Sequence, residues 1–158
     1  TLYNRGEIIR RLDKEMQRAR RYERPLSILM LDLDYFKSIN DNYGHQAGDR
    51  VLQAFAQTVK RTVRENDMAG RYGGEEFLVV LPESPLAEAE ECAQRLRQKI
   101  KALTVDVDGN SIDLTASIGV AVLDEKIETA RQMVKKADFA LYLAKSAGRN
   151  CINIAEPA

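Results

Sequence analysis

The chain has 158 residues, 44% of them hydrophobic, with 24 lysines and arginines balanced against 24 aspartates and glutamates. That is the length of one domain, enough to bury a core without disulfides or metals, and the balanced charge excludes a global basic field for gripping DNA or RNA. No stretch has the apolar length of a membrane span and no signal-peptide core follows Thr1, so the segment reads as soluble and cytoplasmic, without nucleic-acid or membrane contact.

Ile8, Ile9, Leu12, Met16 and Ala19 recur at helical spacing, which predicts a helix over 5–23 with Asn4 as N-cap and Pro25 beyond its end. The continuous apolar run 28–31 suits a central strand covered on both faces, and it ends on Asp32 and Asp34. A polar break, "YFKSINDNYGHQAGD", leads into a second helix from about 46 to 64, with Val51, Leu52, Phe55, Val59 and Val63 as its stripe. Strands over 68–72 and 76–81 flank Gly73-Gly74, whose positive φ angles would close a tight two-residue hairpin. A helix over 85–103, a hairpin across Asp108-Gly109 and a β-branched strand over 115–123 follow. The last helix, 129–147, is closed by Gly148, and 151–154 is a final strand. Cys92 in the third helix and Cys151 in that strand form neither a disulfide framework nor a metal-ligand spacing and read as reduced thiols. This order predicts an α+β fold: a β-α-β-β-α-β core, ferredoxin- or palm-like, with helices over a central sheet.

In such a core the first strand and the central hairpin are neighbours, so Asp32 and Glu75 meet at one sheet edge. Solvated acids beside a Gly-Gly hairpin would have the same local sequence. Converging carboxylates, however, repel unless cations neutralise them, and hard oxygen donors describe a Mg²⁺ site. Asp32, the Leu33 carbonyl and Glu75 are the candidate ligands, with Glu76 as a further ligand or a helper in deprotonation. The amides of Tyr35 and Phe36 begin a helical turn able to face phosphate, with Lys37 beside them. Lys145 and Arg149, one turn apart at the end of the last helix, could reach an anion or complement the helix C-terminus. A metal-bound nucleoside triphosphate gives these groups one task. Asn40 and Asp49 then suit guanine, whose N1–H and exocyclic amine offer the double donor edge that a carboxylate accepts and adenine lacks.

"RYGGEEF", "DLDYFKSINDNYGHQAGD", "SIGVA" and "ADFALYLAKSAGRN" together resemble the GGDEF family of diguanylate cyclases, over nearly the whole chain. The resemblance implies a nucleotidyl-cyclase-like fold that condenses two GTP into cyclic di-GMP and pyrophosphate with Mg²⁺ or Mn²⁺. On it, Asp32, Leu33 and Glu75 are the metal set, Glu75 and Glu76 the signature acids, Asn40 and Asp49 the guanine readers, and Tyr35, Phe36, Lys37, Lys145 and Arg149 the phosphate contacts. About two metals per half-site would clamp the attacking and leaving oxygens. One half-site holds one GTP, so a homodimer is required. His45, beside a helix N-terminus, is assigned a structural role.

Arg64-x-x-Asp67 precedes Gly73 where the family often carries an inhibitory RxxD motif, which implies product feedback through Arg64 and Asp67 with Arg95 or Arg97. The signature has Glu75 where the family name has Asp, and "TLYNR" departs from the family's usual N-terminal stretch, so residues 1–158 are expected to be one catalytic domain clipped from a longer, sensor-regulated parent, which could itself be membrane-anchored. The rivals are a non-catalytic nucleotide receptor, which degenerate acids would mark, a cyclase of altered purine choice, and a domain whose acids are merely solvated.

Overall fold

The computed structural model describes residues 2–157. Its elements are β1 (Leu2–Tyr3), α1 (Arg5–Tyr22), β2 (Leu26–Leu33), α2 (Phe36–Tyr43), α3 (His45–Thr62), β3 (Met68–Arg71), β4 (Glu76–Pro82), α4 (Leu86–Lys101), β5 (Thr104–Val107), β6 (Asn110–Asp113), β7 (Ala116–Val122), α5 (Ala130–Ser146) and β8 (Ile152–Ile154). Six strands form one sheet in the order β1-β3-β4-β2-β7-β8, and β5-β6 is a separate hairpin. The expected β-α-β-β-α-β core is its middle: β2, α3, β3, β4, α4 and β7, with β2 antiparallel to both β4 and β7. The added edge strands run parallel to their neighbours, β1 on β3 and β8 on β7.

β2 is buried at every position because the sheet is the middle of three layers. Leu29, Leu31 and Leu33 face α3 and α4, where Phe55 packs on Phe77 with ring centroids 5.1 Å apart. Ile28 and Met30 face α1 and α5. By the alternation of strand side chains, Asp32 continues the α1/α5 face, and its cross-strand partners there are Glu76 on β4 and Ser117 on β7. α5 lies directly on that face: a Cβ at Gly119 would stand 2.1 Å from the Ala137 carbonyl oxygen. Its N-terminus is fixed by a Thr129–Gln132 capping box.

The structure corrects three local expectations. The polar break is mostly helical: α2 holds on a single buried residue, Ile39, and is separated from α3 only by Gly44 at φ 91°. Neither Gly73 nor Gly74 has a positive φ, because the turn is wider than two residues; it spans 72–75 and closes with the Tyr72 and Gly73 amides both donating to the Glu76 carbonyl, at 2.8 and 3.1 Å. Finally, α5 stops at Ser146, one residue short of the expected end, and Arg149 does not continue its helical turn from Lys145. Gly148 turns the chain at φ 119°, and Arg149 and Asn150 follow in the left-handed region at φ 65° and 47°.

Candidate active site

The site is built where β2 ends between the turn before β4 and the exit of α5. The Leu33 amide donates to the Glu75 carbonyl at 3.2 Å, which ties the 72–75 turn to the end of β2 and brings Glu75 beside Asp32. Burial pushes the Asp32 carboxyl above the usual carboxylate range; Lys145, whose ammonium donates to Asp32 Oδ2, opposes that shift, and Asp34 adds to it. Glu75 and Glu76 are raised as well, by burial first and by the Asp32 charge next, and Glu76 also feels Asp138 on α5. The Asp32 charge therefore disfavours ionisation of both glutamates, with Lys145 opposing the shift at all three carboxyls and Arg149 at Asp32. A cation would relieve that crowding.

Among the described residues no three His, Cys, Asp or Glu side chains form a ready metal cluster. The donors at this edge are instead the Asp32 and Glu75 carboxylates with the backbone carbonyl of Leu33, an all-oxygen set that suits a small hard divalent ion keeping several waters.

Asp34, two residues past Asp32, is buried and fully engaged. Its carboxylate accepts from the Thr115 and Ser117 hydroxyls, both at 2.7 Å, and from the Asn150 amide at 3.0 Å. This network joins the ends of β2 and β7 to the chain leaving α5, and it holds the left-handed pair Arg149–Asn150 that would otherwise be strained. The Arg149 guanidinium consequently sits 4.8 Å over the Tyr35 ring, and its charge reaches Asp32. Tyr35, itself left-handed at φ 58°, is the N-cap of α2 and supplies no side-chain cap, so the first-turn amides of α2 keep their donors for another acceptor. Lys37 is exposed on that first turn. Tyr35, Lys145 and Arg149 thus gather around Asp32 at the start of α2.

Asn40 on α2 meets α3 at Gly48, the residue before Asp49. The Asn40 amide lies on Gly48, where a Cβ would be 1.8 Å from Asn40 Oδ1, so only glycine lets the two helices seat it. Asp49, the next residue, is exposed and lines a cleft of about 280 Å³ with Leu52, Phe77 and Arg71. His45 opens α3 in solvent.

Residues 1–151 match the family model described as "Diguanylate cyclase, GGDEF domain". The chain belongs to this family. Over 131 residues it is 44% identical to diguanylate cyclase A of Treponema denticola, covering 83% of this chain and 35% of that protein. The chain spans about a third of the length of the curated relatives it matches. Its fold superposes with a TM-score of 0.92 on the GGDEF domain of DgcB from Caulobacter crescentus in complex with c-di-GMP, at 30% identity over 99% of this chain and 90% of that one. It superposes equally, at 0.92 and 31% identity over the full length of both chains, on the active GGEEF domain of a diguanylate cyclase from Vibrio cholerae.

In this GGDEF domain the RxxD residues sit at the far end of the β3–β4 hairpin. Asp67 accepts from the Arg64 amide at 2.8 Å, and the Arg64 guanidinium reaches Asp67 at 3.6 Å, Ser84 Oγ at 3.2 Å and Glu88 at 3.5 Å. Arg95 belongs to the same corner: burial raises the Cys92 thiol to about 11, and Arg95, Asp67 and Arg64 are the charges nearest in influence upon it. Arg97, the alternative to Arg95, turns the other way to Asn150 Oδ1 at 3.2 Å. Both cysteines are free.

The sequence reading missed Thr115, Ser117 and Asn150 as partners of Asp34, and Arg71 as a neighbour of Asp49. "SIGVA" carried Ser117 and "SAGRN" carried Asn150, but nothing local in either stretch points at Asp34. Among the described residues no helix is long and apolar enough to cross a membrane.

Proposed function

We propose that the domain is a diguanylate cyclase that condenses two GTP into cyclic di-GMP and two pyrophosphates across a two-fold dimer. The observation that carries this reading is the crowding of Asp32, Glu75 and Glu76 at one sheet edge, answered chiefly by Lys145 and, at Asp32, by the charge of Arg149. Such an arrangement is costly in a domain with no cation to bind, and it suits one that handles a metal-bound triphosphate. Magnesium or manganese, about two ions per half-site, supplies Lewis-acid neutralisation of the reacting phosphate when bound, and Asp32, the Leu33 carbonyl and Glu75 would hold it.

The remaining groups divide the nucleotide between them. The amides of Tyr35 and Phe36, with Lys37, Lys145 and Arg149, hold phosphate oxygens. Asp49 accepts from the guanine N1–H and amine, and Asn40, fixed against Gly48, supplies a donor and an acceptor. Glu76, whose carboxyl is raised by burial and by Asp32, serves as a further ligand or accepts the proton of the attacking ribose 3′-OH. Because one half-site orients one GTP, a second copy must present the other in line, and most of the rate comes from that positioning and from charge neutralisation. Arg64, Asp67 and Arg95 form a product-inhibitory site; the DgcB structure with c-di-GMP supports recognition of this product by the same fold. GTP as substrate places the domain in the cytoplasm, and residues 1–158 act as one catalytic unit.

The test is to strip the purified chain of nucleotide, incubate it at high concentration with GTP and Mg²⁺, and identify products by chromatography and mass. Cyclic di-GMP is expected, with turnover reduced on the order of 10²–10³-fold in Glu75→Ala. GTP that stays bound and unconverted at concentrations forcing dimerisation would replace the cyclase with a receptor.

A further inference from the structure

Arg71 closes β3 and is exposed, and the chemistry above gives it no task. Its Nε donates to the carbonyls of Gly73 and Gly74 at 3.2 and 3.1 Å, and its Nη2 donates to Gly74 at 2.6 Å. The planar fork therefore spans the outer carbonyls of the turn whose inner side is closed by the Tyr72 and Gly73 amides on Glu76. The Leu33 amide ties the Glu75 end of this turn to β2, but the glycine end is open: a Cβ placed at Gly74 would meet no atom within 4 Å. Two adjacent glycines lose more backbone freedom on ordering than any other pair, and Glu75 follows them directly. The same arginine lines the cleft that holds Asp49, so one guanidinium borders both the purine cleft and the acid turn. A lysine in its place gathers its donors on one nitrogen at the end of a flexible stem and lacks the rigid planar fork that fixes the two carbonyls.

We propose that Arg71 is a positioning residue that clamps the Gly73–Gly74 carbonyls and thereby holds Glu75 at Asp32 for metal binding. The inference rests on the cyclase reading for the metal, but the clamp itself can be measured without turnover. Hydrogen exchange in nucleotide-free, metal-free protein should show the amides of 72–76 exchanging about tenfold faster in Arg71→Ala than in the parent, with β2 and α5 unchanged. Binding of Mn²⁺ in the presence of GTP, followed by electron paramagnetic resonance, should weaken about 10–100-fold, as for other residues that orient a metal ligand. Saturating Mn²⁺ should then restore most of kcat, and Arg71→Lys should fall between parent and Arg71→Ala in both measurements.

Unchanged exchange of the turn in Arg71→Ala overturns the clamp. Unchanged exchange with kcat still lost at saturating Mn²⁺ overturns it in favour of direct contact with substrate. Should Arg71→Ala fail to fold, Arg71→Lys, which keeps the stem and the charge, carries the same comparison. A parent that binds Mn²⁺ and GTP without making cyclic di-GMP would refute the cyclase reading while leaving the exchange result intact.

Discussion

The two ends of the β3–β4 hairpin handle charge in opposite ways. At the turn end, Glu75 and Glu76 face Asp32; burial raises all three carboxyls, the Asp32 charge adds to the shift of the two glutamates, and Asp34 adds to that of Asp32. At the other end, separated by the seven residues of β4 and so by about 20 Å, Arg64 is occupied by Asp67, Ser84 and Glu88. The first end carries an electrostatic deficit that a bound cation removes. The second has no deficit, so a ligand there must offer acceptors at least as good as those it displaces, which the phosphates and guanine edges of cyclic di-GMP do. On the proposed reading, a metal site and a product-sensing site would thus differ in whether the fold has already answered the charge.

The largest effect that would break this contrast lies at the arginine end. Arg64→Ala removes a guanidinium whose charge-assisted hydrogen bonds are worth about 1.5–3 kcal/mol each, so inhibition by added cyclic di-GMP should weaken about 10–100-fold while turnover at saturating GTP is unchanged. Inhibition assays at several product concentrations decide it, and an unaltered inhibition constant would remove Arg64 from the product site.

A stability measurement sharpens the acid end. Glu75 titrates above its unfolded value, so its neutral form is the one the fold favours, and stability is lost as pH rises through the folded pKa. Metal-free Glu75→Gln should therefore unfold at a higher temperature than the parent near pH 7, with the gain vanishing as pH falls well below the ordinary glutamate value of about 4.3, where the parent carboxyl is protonated in both states. Saturating Mg²⁺ with GTP should stabilise the parent and not the variant. Calorimetry across that pH range checks both, and a lower transition temperature for the variant at neutral pH would mean that Glu75 is not crowded.

The smallest effect comes from a carboxylate of the opposite sign. Arg10, with Arg11 beside it, holds Glu7 down from its ordinary 4.5 to about 2, so its contribution is present above the unfolded value and is lost as pH falls toward about 2. Because the pair is solvent-exposed, Glu7→Gln should lower the transition temperature only slightly at neutral pH, and the difference should disappear in acid. Parallel scans of the two glutamine variants should show differences of opposite sign near pH 7.

Sequence periodicity located the long helices, the central strand and the antiparallel hairpin, because each buries a face whose spacing is written locally. It failed at α2, where one buried residue, Ile39, in a polar stretch leaves almost no stripe to read; Ile39 anchors that helix, and Asn40 lies against Gly48 on α3. The two-residue β1 at the sheet edge is equally invisible, since it takes its shape from pairing with β3. The site was legible in part. Acids after an apolar strand and beside two glycines signal a charged sheet edge, but the same reading spaced Lys145 and Arg149 by one helical turn, whereas the chain leaves the helix after Ser146 and Arg149 is left-handed.

The sequence by itself determined which residue types stand at the ends of β2 and before β4, and the four separated motifs that place the chain in its family. Only the tertiary structure decided that Asp32 answers to Lys145 while Asp34, two residues away on the same strand face, is consumed by Thr115, Ser117 and Asn150. Both are aspartates after the same apolar run. Their environments diverge because different hydrogen-bond partners, all more than 80 residues distant, reach the two, and desolvation and charge are properties of the assembled neighbourhood rather than of the local chain.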